Sequence, residues 1–327
     1  MTALEQLRAD LPPGLTVRPA TLDDADVVID LVQACDVAAT GEPDSGRDEI
    51  AGMLSSPNVD PEATVLGLDG DEVVLFLWVE RDDAARETWI DVYVDPAHSS
   101  VEVLTRAVLA HGVRVARAHS DDAGPGRWTA RTGCFGTDEV LVDAIDRAGF
   151  DRVRRFWRMR IDLARAGTLD ERPMPAGATV RAVHDEEGRR ILHGVVMESF
   201  QDHWHHNDRD YEAWIRALAS AGSDDPDGWW LLEVDGAPAG ACLLDESRSD
   251  LGDGNVRTLG VLREHRGRGL AESLLLRAFR YYRDRGREGV QLTVDSESPT
   301  GANHLYEKVG MRPVRVIDAW SMPLGVV

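Results

Sequence analysis

Lysine is almost absent from this chain: Lys308 is the only one in 327 residues, against 35 arginines and 58 acidic residues, for a formal net charge of -22. That balance argues against nucleic acid or an anionic membrane as partner, because both are bound by neutralising phosphate with Lys and Arg. Cysteine is scarce as well. Cys35, Cys134 and Cys242 are odd in number and widely spaced, which fits neither a disulfide framework nor a zinc ligand set, so they read as small buried apolar residues. No apolar run approaches the ~18 residues of a membrane span. The opening "MTALEQLRADLPPG" has no basic segment followed by an apolar one, and a cytoplasmic protein is expected. Nucleotide motifs are missing too: there is no Gly-Lys-Ser/Thr, and no G-x-G-x-x-G follows a first strand.

With 43% hydrophobic residues, the chain can bury a substantial core, and its length suits two domains. An internal repeat gives the division. "LTVRPATLDDADVVIDLV" matches "ATVRAVHDEEGRRILHGV" with Val17 opposite Val180, and "AIDRAGFDRVRRFWRMRIDL" matches "LYEKVGMRPVRVIDAWSMPL" with Gly149 opposite Gly310. Between these anchors both halves read strand, Asp-Gly turn, strand, a β-hairpin signature. An alternating strand and a longer helical pattern follow. The spacing predicts an α/β (α+β) chain of two tandem folds, each a mixed, mostly antiparallel sheet flanked by helices. Residues 1–165 form the N-terminal domain, 166–178 an Ala/Gly/Pro-rich linker and 179–327 the C-terminal domain.

Cations and glycines concentrate in one place. "REHRGRGLAESLLL" (263–276) lies where a strand over 256–261 turns into a helix starting near Leu270, and nine arginines face three acids between Arg257 and Arg287. A helix N-terminus has about four amides without internal acceptors and a partial positive charge, so it holds phosphate readily. Gly267 and Gly269 permit close approach of a pyrophosphate and the positive φ of an amide-lined nest.

"VLREHRGRGLAESLL" resembles the acyl-CoA motif of GNAT acyltransferases: Gln or Arg, two residues, Gly, one residue, Gly or Ala, met here by Arg266, Gly269 and Ala271. A second signature, "LTVDSESPTGANHLYEKVGMRPV", supplies fifth strand, loop and helix with Tyr306. The tandem arrangement is similar to the mycothiol-synthase type of the family. Two departures stand out: the chain has "VLR" where members often have Val-x-Pro, and Ser298 where many have Asn before the loop proline.

The resemblance implies acetyl-CoA as co-substrate, no metal, and direct acetyl transfer to a primary amine. It implies co-substrate contacts from Leu259, Gly260, Val261, Arg266, Gly267, Arg268, Gly269, Leu270, Ala271 and Ser298. Backbone amides around Leu259–Val261 would polarise the thioester carbonyl where the fourth and fifth strands splay. Tyr306 would protonate the leaving thiolate. The base is open: some members place an acid near the start of the fourth strand, where this chain offers Asp253 and Asn255, and Glu198 and Asp295 are rivals. His203, His205 and His206 lack metal-ligand spacing and read as lining of an aromatic cleft with Phe200, Trp204 and Trp214. Opposite "REHRGRGLA" the first half has "VDPAHSSVE", and opposite Tyr306 it has Ile145, so the C-terminal half is expected to be the active one. The acceptor is expected to be a small-molecule amine and the protein a monomer or homodimer. A protein or peptide N-acetyltransferase, or an acyl-CoA sensor or scaffold without catalysis, are the alternatives.

Overall fold

The computed structural model describes residues 3–164, 174–204, 209–220, 226–298 and 301–325; most of the 166–178 linker and His205 and His206 lie outside them. The chain divides into two compact units, Met1–Phe156 with Arg315–Val327, and Trp157–Val314.

In the first unit the elements are α1 (Ala3–Asp10), β1 (Leu15–Pro19), α2 (Ala25–Thr40), α3 (Arg47–Leu54), β2 (Val65–Asp69), β3 (Glu72–Asp82), β4 (Glu87–Val94), α4 (Val101–Asp122), β5 (Trp128–Phe135) and α5 (Glu139–Arg147). β6 (Asp151–Asp162) leads out of it. The strand order is β1-β2-β3-β4-β5, and the chain's last strand, β12 (Arg312–Leu324), completes it by pairing antiparallel with β5 from Ile317↔Phe135 to Leu324↔Trp128. Apolar residues run continuously along β3 because both faces are covered. Leu75, Leu77 and Val79 enter one core with α1, α4 and α5, while Phe76 and Trp78 enter the other with α2 and α3.

The second unit contains β7 (Ala178–Ala182), α6 (Glu186–Ser199), α7 (Tyr211–Ser220), β8 (Trp229–Val234), β9 (Ala237–Asp245), β10 (Asp253–Val261), α8 (Leu270–Asp284), β11 (Gly289–Asp295) and α9 (Ala302–Lys308). Its strand order is β6-β11-β10-β9-β8-β7. The β8–β9 hairpin turns on Asp235 (φ 51) and Gly236 (φ 80), the two positive φ values of a type I′ turn. On α8 the buried residues Leu270, Leu274, Leu275, Ala278, Phe279 and Tyr282 recur at helical spacing and face one core with Trp230, Leu232 and Cys242. The alternate residues Trp229, Leu231, Ala241 and Leu243 meet α6 and α7 on the other face. All three cysteines are free, and burial pushes each thiol up to about 12, which keeps them unreactive.

Each half of the sequence thus lends its closing strand to the other unit. β12 extends the first sheet. β6 lies beside β11, where Arg160 grips Asp253 through Nε at 2.7 Å and Nη2 at 2.9 Å, and the amide of Leu163 donates to Glu288.

Candidate functional site

The site grows from a parting of strands. β10 pairs in parallel with β11 over three residues, Asp253↔Gly289 to Asn255↔Gln291, and no further, while its antiparallel pairing with β9 continues to Val261↔Gly240. A bulge at Arg257 bends β10 at the point where contact with β11 ends. Leu262 donates its amide to Ala239 on β9. Amides alternate sides along a strand, so those of Leu259 and Val261 project to the edge that β11 has left.

From there the chain makes a short 3-10 turn at Arg263–His265 and enters α8. Gly267 (φ 75) and Gly269 (φ 79) are both left-handed, a conformation that an L side chain resists, and a Cβ at either would meet nothing within 4 Å. The glycines therefore serve the turn and leave its outer face open. Among the described residues, nothing accepts from the amides of Gly267, Arg268, Gly269, Leu270 or Ala271; further along, the amide of Ser273 is bonded back to Gly269. Gly267, Arg268 and Gly269 are exposed, Ala271 is half-buried and Leu270 is buried.

Arg266 points inward. Its Nε donates to the Val261 carbonyl at 3.0 Å and its Nη2 to the Ser199 carbonyl at the end of α6, also at 3.0 Å. Asp202 adds a looser contact at 3.8 Å and holds Arg263 at 2.5 Å. Arg263 and Arg268 are both exposed; Arg263 is held by Asp202, and Arg268 lies 3.3 Å from His265 Nδ1.

Tyr306 projects from α9 into the same core as Val261, Leu270, Val294 and Cys242, and is 8% exposed. Burial pushes its hydroxyl up to about 12, so it is protonated at neutral pH. α9 is docked by Asn303, whose Nδ2 donates to the Ser296 carbonyl at 2.9 Å in the loop after β11. Ser298 in that loop donates its amide to the Asp295 carbonyl.

The four candidates for the base occupy different settings. Asp295 is buried and its carboxylate accepts the Glu297 amide at 2.9 Å, closing the turn after β11. Asp253 is buried between Arg160 and the Gln291 amide. Asn255 donates to Asp245 at 2.9 Å. Glu198 is exposed on the last turn of α6, next to Ser199, whose side chain packs so closely on Gly260 that no Cβ fits there. His203 packs at a tilt against Phe200 with ring centroids 4.4 Å apart, and Trp214 packs on Trp229 at 5.7 Å. No group of three potential metal ligands occurs among the described residues.

The first unit repeats the frame with other chemistry. β4 and β5 pair in parallel only from Glu87↔Thr129 to Trp89↔Arg131 and then part. At the start of α4, however, Asp95 accepts the Ala97 amide at 2.9 Å and His98 Nδ1 accepts the Ser100 amide at 3.1 Å. Side chains of the loop thus take two of the amides that lead into that helix. The Asp91 carboxyl reaches the Gly133 amide on β5, and burial raises it to about 7. In place of a tyrosine, α5 carries the fully buried Ile145.

Sequence reasoning missed Ser199, Asp202, Asn303, and the pairing of Lys308 with Glu272. Each acts through a tertiary contact that no local pattern reports.

Residues 190–311 match the acetyltransferase (GNAT) family. A mycothiol acetyltransferase of Salinispora arenicola is 30% identical over 244 residues, covering 71% of this chain and 72% of the relative. One of Rhodococcus erythropolis is 26% identical over 288 residues, covering 86% and 89%. The GCN5-related N-acetyltransferase of Sphaerobacter thermophilus superposes with a TM-score of 0.79 at 26% identity, covering 96% of both chains. A tandem GNAT protein from the clavulanic acid biosynthesis pathway shares the fold, with a TM-score of 0.73 at 18% identity. The chain belongs to the GNAT family as a tandem acetyltransferase that uses acetyl-CoA as co-substrate.

Proposed function

We propose that the second unit alone carries the activity, transferring acetyl directly from acetyl-CoA to a primary amine of a small molecule. The observation that carries this reading is the contrast between two helix N-termini. Five amides from Gly267 to Ala271 are open over a glycine turn at α8, whereas in the loop leading into α4 the side chains of Asp95 and His98 take the amides of Ala97 and Ser100, and the backbone of that loop takes those of His98 and Val101.

Acetyl-CoA supplies the activated acetyl group. The chain's part is to hold and orient it. The open amides at the start of α8, with Arg268 beside them, take the pyrophosphate, and Ser298 lines the way along the β11 loop. The outward amides of Leu259 and Val261 face the acetyl carbonyl in the parted strands, where donors fixed in advance stabilise developing negative charge. Gly260 lets α6 lie close, so the acceptor side packs directly on that strand. Arg266 joins the two sides as a positioning residue. Tyr306 keeps its proton at neutral pH and gives it to the sulfur as the carbon–sulfur bond breaks. Glu198 is favoured as the group that takes the proton from the amine, being exposed and beside the Gly260 contact. Asp295 holds the turn.

The relatives named mycothiol acetyltransferases support a small acceptor carrying an amine on a sugar conjugate, and the acidic surface favours a cationic one. The test is thiol release from acetyl-CoA against a panel of amino sugars, amino-sugar thiol conjugates, polyamines and peptides. Amine-dependent turnover on one of the small amines, lost in Gly269→Glu and reduced in Tyr306→Phe, supports the reading. Turnover with peptides only, or none beyond background in any variant, contradicts it.

A further inference from the structure

Glu272 stands in the opening turn of α8, three residues past Gly269, and is 8% exposed. Three residues advance a helix by about 4.5 Å, so this carboxylate lies within one turn of the open amides. With water at the helix end it complements the dipole. With a pyrophosphate at those amides it becomes a like charge at short range, in a setting where burial limits screening. Lys308, on the last turn of α9, meets it: Nζ lies 2.7 Å from Oε2, with the lysine side chain 58% exposed and the carboxylate 10%. The chain's single lysine is thus paired with the acid in the first turn of the helix that begins at the glycine loop. Lys308 is also its only side-chain amine, and it is open to solvent.

We propose that Lys308 is an acylation-sensitive control point for co-substrate binding. Its ammonium offsets the charge of Glu272 at the phosphate-binding end of α8, and acylation by an acyl thioester removes that cation and weakens the hold on acetyl-CoA. In the step, the lone pair of neutral Nζ attacks the thioester carbonyl carbon. A nitrogen–carbon bond forms, the carbon–sulfur bond breaks, and the departing thiolate takes up the proton that the nitrogen loses. The product is a neutral amide, which no longer offsets the charge of Glu272. Acetyl-CoA is itself such a thioester, so the modification would follow co-substrate supply.

This inference rests on the reading that the α8 N-terminus holds the pyrophosphate, and the experiment separates the two. Acetyl-CoA binding is measured by calorimetry for the unaltered protein and for Lys308→Gln, Lys308→Arg, the double variant Lys308→Gln/Glu272→Gln, and Gly269→Glu. Lys308→Gln is expected to raise Kd about three- to tenfold, the range of a charge at a partly buried helix end. Lys308→Arg keeps the pair and the affinity, and the double variant returns to within about twofold of the unaltered protein because both charges are gone. Treatment with S-acetyl-N-acetylcysteamine, a thioester without the nucleotide, is expected to add one acetyl mass at Lys308 and to reproduce the weaker binding, while leaving the affinity of the Lys308→Arg protein unchanged. Unaltered affinity in Lys308→Gln, no recovery in the double variant, or no acetylation of Lys308 overturns the inference. If Gly269→Glu abolishes binding while Lys308→Gln does not change it, only the present inference falls. If Gly269→Glu binds normally, the phosphate reading falls with it.

Discussion

Arg266 donates its Nε to the carbonyl oxygen of Val261 at 3.0 Å, tying the first residues of the glycine loop back onto the end of the strand they leave. Because its Nη2 also holds Ser199 at the end of α6, one guanidinium fixes three pieces of backbone: the loop, the strand and the helix above it. The motif arginine therefore shapes the anion nest from behind.

Replacing that arginine separates shaping from direct charge contact. Hydrogen bonds from a charged group contribute roughly 1.5–3 kcal/mol each. Arg266→Met is expected to lower the melting temperature by several degrees and raise Kd for acetyl-CoA about tenfold. The salt dependence of binding should stay as it was, since no phosphate contact is lost. A shallower salt slope in the variant would instead mean that the guanidinium touches phosphate.

Tyr306→Phe removes the proton donor and little volume. Acetyl-CoA binding should be unchanged within about twofold while kcat falls by about 10² to 10⁴, the usual span of general acid assistance. Stability gives a second readout. The folded hydroxyl is raised from 10 to about 12, so its contribution is complete below pH 10 and is lost as pH climbs through 12. The variant should therefore resist alkaline unfolding slightly better than the parent, which pH-dependent melting curves above pH 10 will show.

Asp91 gives the opposite half of the chain a pH signature. Its folded carboxyl is raised to about 7 from 3.8, so the stability it contributes is whole below 3.8 and is lost as pH rises through 7. Asp91→Asn removes that loss. A tenfold change in proton affinity between the folded and unfolded chain corresponds to about 1.4 kcal/mol. The melting temperature of the variant should exceed the parent's by several degrees at pH 8 and scarcely differ at pH 4; an advantage independent of pH would show that the carboxyl is not the cause.

Thr88 is the hub of a buried polar chain. Its hydroxyl accepts from Trp128 Nε1 at 3.0 Å and lies 3.0 Å from His119 Nδ1, while His119 Nε2 meets Asp60 at 2.9 Å. Asp60 is held below its usual range by that histidine, the largest influence on it. Thr88→Val keeps the shape and strands both partners, for an expected loss of about 1–3 kcal/mol in denaturant titration. Catalysis should be untouched, and a lost activity at full stability would contradict the assignment of this network to the scaffold.

Much of this was legible in the sequence because it is carried by local rules. The positive φ at Gly267 and Gly269, the hairpin turn at Asp235-Gly236, and the tyrosine on a short helix after the fifth strand each follow from residue type and spacing. The closing strands were not legible in the same way. β6 and β12 are equivalent by repeat, and an alternating strand does not encode which edge it will join; the Arg160–Asp253 and Arg155–Asp318 pairs that mark their places join residues far apart in sequence. The inward turn of Arg266 was hidden for a related reason, since its acceptors are backbone carbonyls that any sequence supplies. In "VDPAHSS", the missing glycines could be read, but the filling of the amides by Asp95 and His98 is a matter of rotamer and geometry.

The most direct test of the account is the stoichiometry of acetyl-CoA binding, measured by calorimetry on the full chain. One site per chain is expected, present in a Ser100→Gly variant that loosens the α4 loop and abolished by Gly269→Glu. Two sites in the unaltered chain, or one site that survives Gly269→Glu, would contradict it.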